Sequence, residues 1–288
     1  LMNVLKSFKS DPVNWMMFIP PNPPRYDETL PNFFWIPKMK KTNPIPCVLY
    51  HPPIKKPLPY LMIYCHGNAM DLGDCKYILR DIASNLGIYC VAFDYSGYGL
   101  TRDRGEAPSE YSSSRDAIAV YEKLRNEMEW PADRIIIYGQ SIGTGIASTI
   151  ALHAQKKGEP VMALFLQSGY TSIRDVAKAF VGLPGTFILN RFNTREKLKQ
   201  LTIPILWTHG DIDDVIPYEM SKIMSDEYKG HTITNFHTAS GKGHNDMCIS
   251  ADLAIPFSEM ISRIEKQREE EGLVIPPHPE KFDPFRKE

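Results

Sequence analysis

Arg134-Ile135-Ile136-Ile137-Tyr138-Gly139-Gln140-Ser141-Ile142-Gly143-Thr144 sets the architecture of this chain. Its first five residues form a continuous, mostly apolar run, the pattern of a parallel strand covered by helices on both faces. A serine between two glycines follows at once, and Thr144 to Ala151 is rich in small residues that let a helix lie close on a sheet. Strand, sharp turn and helix in that order lift a serine above the carboxyl ends of the sheet. The flanking glycines leave out side chains for which the turn has no room. G-x-S-x-G alone is a weak motif, and its setting gives it weight. A dinucleotide-binding loop built on Gly143 and Gly145 fails because the third glycine position is Ser148.

Outward from this stretch, short apolar runs alternate with longer segments of helical period. The runs predict strands over Tyr60–Cys65, Tyr89–Phe93, Arg134–Tyr138, Ala163–Gln167, Pro204–Thr208 and Thr232–His237. Helices are predicted over Leu72–Leu86, Tyr111–Met128, Ile142–Gln155, Tyr218–Tyr228 and Ile249–Glu271, with an irregular helical interval from Ser172 to Gln200. The result is an α/β architecture: a mostly parallel central sheet with helices on both faces and a short lid segment. The first sixty residues are proline-rich and disfavour helix or central strand. Asn32–Pro37 and Cys47–His51 are expected to form an edge hairpin. The domain scheme is a proline-rich arm over 1–30, one catalytic domain over 31–265 and a tail over 266–288.

Composition narrows the function classes. The 288 residues carry a net charge of -1, with no basic field to attract nucleic acid. The five cysteines are scattered, without C-x-x-C pairs or zinc-finger spacing, and fit reduced thiols in a cytoplasmic protein. No metal and no cofactor are expected. No run approaches the roughly 20 apolar residues of a membrane span.

A serine hydroxyl needs a positioned base, and the base needs a carboxylate to orient it. His209-Gly210-Asp211-Ile212-Asp213-Asp214-Val215-Ile216-Pro217 follows a predicted strand and offers three acids. Asp211, Asp213 and Asp214 each qualify by position, although Asp211 also suits a turn and Asp214 a helix entry. Gly241-Lys242-Gly243-His244-Asn245-Asp246 places His244 in a glycine-rich loop beyond the last strand, which makes it the candidate base for Ser141. His66-Gly67-Asn68-Ala69 closes the first long strand, where one backbone N–H of an oxyanion hole belongs. Asn68 is assigned to it, with Ala69 a neighbour of nearly equal claim, and Ile142 supplies the second N–H. His66 is expected to brace the loop.

The run Tyr64 to Leu72, Phe93-Asp94-Tyr95-Ser96-Gly97-Tyr98-Gly99, Pro108-Ser109-Glu110, Tyr138 to Thr144 and Gly243-His244-Asn245-Asp246 resemble the α/β-hydrolase domain-containing protein 17 family. The resemblance spans about Tyr60 to Arg263 and implies the α/β-hydrolase fold. It implies a serine hydrolase that removes palmitate from cysteines of membrane-associated proteins. It also favours Asp213, because the family's aspartate stands four residues after the histidine of the His-Gly pair. The alternative is a carboxylesterase or lipase acting on oxygen esters. The family's N-terminal cluster of lipidated cysteines has no counterpart before Cys47. It either precedes Leu1 or is lacking in this member.

Val4, Leu5, Phe8, Trp15, Met16, Met17, Phe18 and Ile19 either pack on the hydrolase body, the favoured alternative, or touch a bilayer surface peripherally. Val176, Phe180, Val181, Leu183, Phe187, Ile188, Leu189 and Phe192, in the lid interval, either line an acyl groove or form the core face of two helices. The expected partners are an S-acylated protein or acyl ester, and a monomer is expected.

Overall fold

The computed structural model describes residues 17–37, 44–55, 57–187 and 189–273. Eight strands form one sheet in the order β1-β2-β4-β3-β5-β6-β7-β8. They are β1 Phe33–Ile36, β2 Ile45–Tyr50, β3 Leu61–Cys65, β4 Tyr89–Phe93, β5 Ile135–Gln140, β6 Ala163–Gln167, β7 Ile205–Gly210 and β8 Thr234–Ala239. From β4 to β8 every neighbour is parallel, and only β1 against β2 and β2 against β4 run antiparallel.

The apolar runs alternate their side chains between two cores. Leu61, Ile63, Ile135 and Ile137 point to one face, while Met62, Tyr64, Ile136 and Tyr138 point to the other. Helices α1 (Leu72–Leu86) and, at the C-terminal end, α7 (Ile255–Glu270) cover the second face with Leu79, Ile82, Phe257, Met260 and Ile264. The first is covered by α2 (Glu110–Asn126) and α3 (Gly143–Lys156) through Val120, Leu124, Ile146, Ala147 and Ile150. Both faces are therefore apolar, which is why these strands read as unbroken hydrophobic runs. Local chemistry marks the helix ends: Asp71 and Asp74 form a capping box on α1, Gly87 ends it at φ +66°, and Ser109 caps α2.

The expected fold is present, with differences at the margins. The hairpin is antiparallel as anticipated, but only β1 is an edge strand, since β2 pairs on its other side with β4. Pro46 is accommodated there because the Asp94 N–H donates to its carbonyl at 3.1 Å, and the missing N–H of proline is not called on for that bond. Strand β8 begins two residues later than predicted and runs to Ala239, in register with β7 up to Gly210 and Ala239. The last predicted helix divides into a π turn over Ile249–Ala254 and α7. Helix α7 passes the boundary drawn at 265/266, and Arg268 donates to the Asp133 carbonyl at 2.8 Å.

The interval after β6 holds α4 (Ile173–Val181), a 3-10 turn over Leu183–Phe187 and α5 (Thr194–Leu198). Of the two alternatives for its apolar residues, the core face of two helices is formed only in small part. Phe192 is buried and Val176 leans on the core, but Phe180 (57% exposed), Val181 (57%), Phe187 (89%) and Leu189 (61%) face solvent. Ile188 and the side chain of Leu183 lie outside the described residues. At the N-terminus Met17 and Phe18 are buried against the sheet-and-helix body, Phe18 against Tyr98 and Phe192, while Ile19 is exposed. The apolar residues before Met17 lie outside the described residues.

Candidate active site

The site begins where β5 ends. Ser141 has φ +52°, a left-handed backbone that a residue with a Cβ adopts at a cost of about 1–3 kcal/mol. Its surroundings hold it there: the Ser141 N–H donates to Gln167 O at 2.9 Å, and Ser141 O accepts from Thr144 N and Oγ1 at 2.9 and 2.7 Å. The glycines are sterically required. A Cβ on Gly139 would stand 2.5 Å from Gly143 O, and one on Gly143 would stand 2.0 Å from Cys65 O.

Three loops meet above the sheet because β5, β7 and β8 all end on that side. Ser141 Oγ lies 3.0 Å from His244 Nε2, and His244 Nδ1 lies 2.7 Å from Asp213 Oδ2. The parallel pairing of β7 with β8 carries the acid loop and the histidine loop side by side. Asp211 takes a different place, accepting from Gly241 N at 2.6 Å and Ser240 Oγ at 3.0 Å, and so anchors the start of the histidine loop. Asp214 is exposed and does not cap the following helix, α6 (Tyr218–Glu227), whose N-cap is Pro217.

The Asp213 side chain is buried, yet four donors surround it. Oδ1 accepts from the Val215 and Ile216 N–H groups at 2.9 and 2.8 Å, and Oδ2 lies 3.2 Å from His209 Nε2 in addition to His244. Burial pulls this carboxyl toward its neutral form, but the hydrogen bonds from His209, His244 and the Ile216 N–H outweigh it and hold the group well below the usual carboxylate range. His209 was read from sequence only as a histidine ahead of the acid. It is wholly buried, with Nε2 also 3.0 Å from Ile216 O and Nδ1 2.7 Å from Ser221 Oγ. The available signal was its place near the end of β7, four residues before Asp213.

The two backbone amides assigned to an oxyanion hole are those of Asn68 and Ile142. The Ala69 N–H is occupied by the Asn68 side chain at 2.9 Å, whereas among the described residues neither Asn68 N nor Ile142 N has an acceptor. The Ala69 N–H is thus engaged within the loop, while the Asn68 N–H is left open. His66 braces the same loop: its Nδ1 donates to Gly67 O at 2.8 Å, its ring stacks on Tyr95, and Nε2 stands 3.3 Å from the buried Asp94. Burial raises the Asp94 carboxyl, against the hydrogen bonds from His66 and Tyr26.

A hydroxyl beside an imidazole, with an ionised carboxylate behind it, can pass its proton to the ring while oxygen attacks an acyl carbon. Among the described residues no group of His, Cys, Asp and Glu side chains could hold a metal ion.

A family described as "Serine aminopeptidase, S33" matches residues 58–193, the part carrying Asn68 and Ser141 but neither Asp213 nor His244. The "Alpha/beta hydrolase domain-containing protein aho-3" of Caenorhabditis elegans is 32% identical over 219 residues, 75% of this chain and 61% of that protein. "Lysophosphatidylserine lipase ABHD12" of Danio rerio is 29% identical over 218 residues, 68% of this chain and 56% of that protein. "Alpha/beta hydrolase domain-containing protein 17C" of Mus musculus is 29% identical over 203 residues, 70% and 60% respectively. The chain thus spans less than two thirds of the length of these relatives. Among solved structures, Est1E from Butyrivibrio proteoclasticus superposes with a TM-score of 0.61 at 18% identity, covering 82% of this chain and 99% of its own. An alpha-beta hydrolase from Vibrio vulnificus gives 0.62 at 19%, covering 83% and 82%. At such identities these two show the fold.

Proposed function

We propose, for a chain that belongs to the α/β-hydrolase domain-containing serine hydrolases, that it cleaves long-chain acyl thioesters of cysteine, a protein depalmitoylase working through an acyl-enzyme. The observation that carries this reading is the line of contacts from Asp213 through His244 to Ser141.

In this reading Ser141 Oγ attacks the acyl carbon while its proton passes to His244 Nε2. Charge gathers on the acyl oxygen, where the Asn68 and Ile142 N–H groups receive it. Collapse breaks the carbon–sulfur bond, and the thiolate leaves with the proton from His244. Water then gives its proton to the same nitrogen as it attacks the acyl-enzyme, and the fatty acid is released with Ser141 restored. Asp213 stays ionised, holds the Nδ1–H tautomer and stabilises the imidazolium. All these groups come from one chain, so a monomer suffices.

Long acyl chains are favoured by the apolar side chains of Phe180, Val181, Phe187 and Leu189, between the end of β6 and Phe192. Each buried CH₂ of a substrate contributes about 0.8 kcal/mol. Among the described residues no helix is long and apolar enough to cross a membrane, and work on membrane-held substrates is assigned to a cytoplasmic enzyme meeting the bilayer peripherally. A lipase or carboxylesterase is the second reading, supported by the similarity to the lysophosphatidylserine lipase of Danio rerio.

The test is turnover of a palmitoylated-cysteine peptide beside a matched oxygen ester and a short-chain ester, with wild type and Ser141→Ala. Ser141-dependent preference for the long thioester is expected. Preference for oxygen esters would keep the hydrolase and remove the thioesterase.

A further inference from the structure

The loop bearing the Asn68 amide is held from outside the catalytic body. Ala69 sits at φ +57°, a strained position for alanine that persists only where neighbours over-determine it. Two of those neighbours come from residues 17–26, which lie across the loop. Arg25 Nη1 donates to Ala69 O at 3.2 Å and to Asp74 Oδ2 at 2.5 Å. The Ile19 N–H donates to Asn68 Oδ1 at 2.8 Å, beside Tyr98 Oη at 2.8 Å and Ala69 N at 2.9 Å. Three donors on one amide oxygen fix the Asn68 side chain, and with it the two peptides that follow Gly67.

The segment is itself tied down at the next helix. The Arg25 N–H donates to Asp71 Oδ2 at 2.7 Å, while the other oxygen of that carboxylate caps α1 through Gly73 N at 2.9 Å. Approach is close enough that a Cβ on Gly73 would stand 2.4 Å from Arg25 O. The Arg25 side chain is 52% exposed, and an ion pair that open adds little to stability. Its bond to the carbonyl of a strained residue next to the oxyanion donor gives it another purpose.

We propose that residues 19–25 set the geometry of the oxyanion hole, with Arg25 the positioning residue that keeps Ala69 left-handed and thereby aims the Asn68 amide. This rests on the assignment of Ser141 as nucleophile and Asn68 N–H as oxyanion donor. Relaxation of Ala69 to a negative φ would swing the chain on both sides of it, and a displaced donor loses the developing oxyanion more than it loses bound substrate. The loss therefore falls on kcat. A segment that leads directly from the N-terminal arm to the oxyanion loop also couples the arm's own contacts to turnover.

The experiment compares wild type, Arg25→Ala, Arg25→Lys and Glu28→Ala on a soluble p-nitrophenyl ester, with inhibition by a trifluoromethyl ketone whose serine adduct places an oxyanion in the hole. Glu28 is the control within the same arm, since its carboxylate accepts only from Trp35 Nε1 at 3.3 Å among the described residues. Arg25→Ala is expected to lower kcat about 10- to 100-fold, less than outright removal of an oxyanion donor, with KM changed less than about twofold. Ketone inhibition should weaken in parallel, Arg25→Lys should restore part of both, and Glu28→Ala should leave kcat unchanged. If Arg25→Ala melts below the assay temperature, Arg25→Gln carries the same test. A kcat within about twofold of wild type, a loss confined to KM, or unaltered ketone inhibition overturns the proposal. Turnover that survives Ser141→Ala instead brings down the functional reading beneath it, a result distinct from Ser141-dependent turnover indifferent to Arg25.

Discussion

The elbow Gly139–Gly145 and the segment Ile173–Phe192 lie close together, Gly145 packing against Phe192, and they are built on opposite terms. In the elbow every shape is imposed: Ser141 is left-handed, two glycines leave no space for a Cβ, and Gln167 and Thr144 hold the turn from either side. Helix α4 buries none of its residues, and four large apolar side chains after β6 stand in solvent. The reacting atoms are pinned, whereas the surface expected to meet an acyl chain is left open and apolar. A tight turn tolerates almost no substitution, and an open apolar face tolerates many without loss of fold.

That contrast can be broken most severely at the nucleophile. Ser141→Ala should lower kcat on the long thioester by about 10⁶, with the unfolding midpoint close to wild type; turnover within tenfold of wild type would remove the serine from the chemistry. Asp213→Asn should cost about 10⁴ in kcat, because the amide favours the wrong tautomer of His244, and steady-state kinetics at neutral pH reads it directly. Gly143→Ala tests the steric half of the comparison. Its Cβ would overlap the Cys65 carbonyl, so a loss of more than about 4 kcal/mol or failure to fold is expected in urea denaturation.

A smaller effect concerns pH. The Asp213 carboxyl is held below its ordinary value of 3.8 in the folded protein, so the unfolded chain takes up its proton first as pH falls. The stability this group contributes, about 2 kcal/mol for charged hydrogen bonds, is present above that range and lost in stronger acid. The gap in unfolding free energy between wild type and Asp213→Asn should narrow below about pH 4. The smallest expected change in stability belongs to the open face. Phe187→Asp, with Phe180→Asp beside it, should move the unfolding free energy by less than about 0.5 kcal/mol while shifting chain-length preference toward shorter esters. Unchanged preference in both variants would dismiss this face as an acyl groove.

Much of the fold was legible because its signals are local. Tyr89–Phe93, Ala163–Gln167 and Leu72–Leu86 have the predicted limits, each an apolar run or amphipathic stretch bounded by its own turn and cap residues. The segment after β6 was not legible in the same way. Phe180 and Phe187 suit a core and a groove equally by composition, and only the packing of α4 and the 3-10 turn after it shows that they face outward. The contact of His209 with Asp213 was not legible because a histidine near a strand end carries no local mark of what the next loop will place against it.

The sequence by itself determined the alternation of strands and helices, the glycine-flanked serine after β5, and the loops that offer an acid and a histidine, since each is a pattern of residues within a few positions of one another. Which of three clustered aspartates meets His244, which of two adjacent amides is left without an acceptor, and that residues 19–25 hold the loop beside them were decided only by tertiary structure. The first and last of these contacts join residues 31 and 44 positions apart, and they follow from the parallel order of the sheet and the path of the arm across it, which no short window of sequence contains.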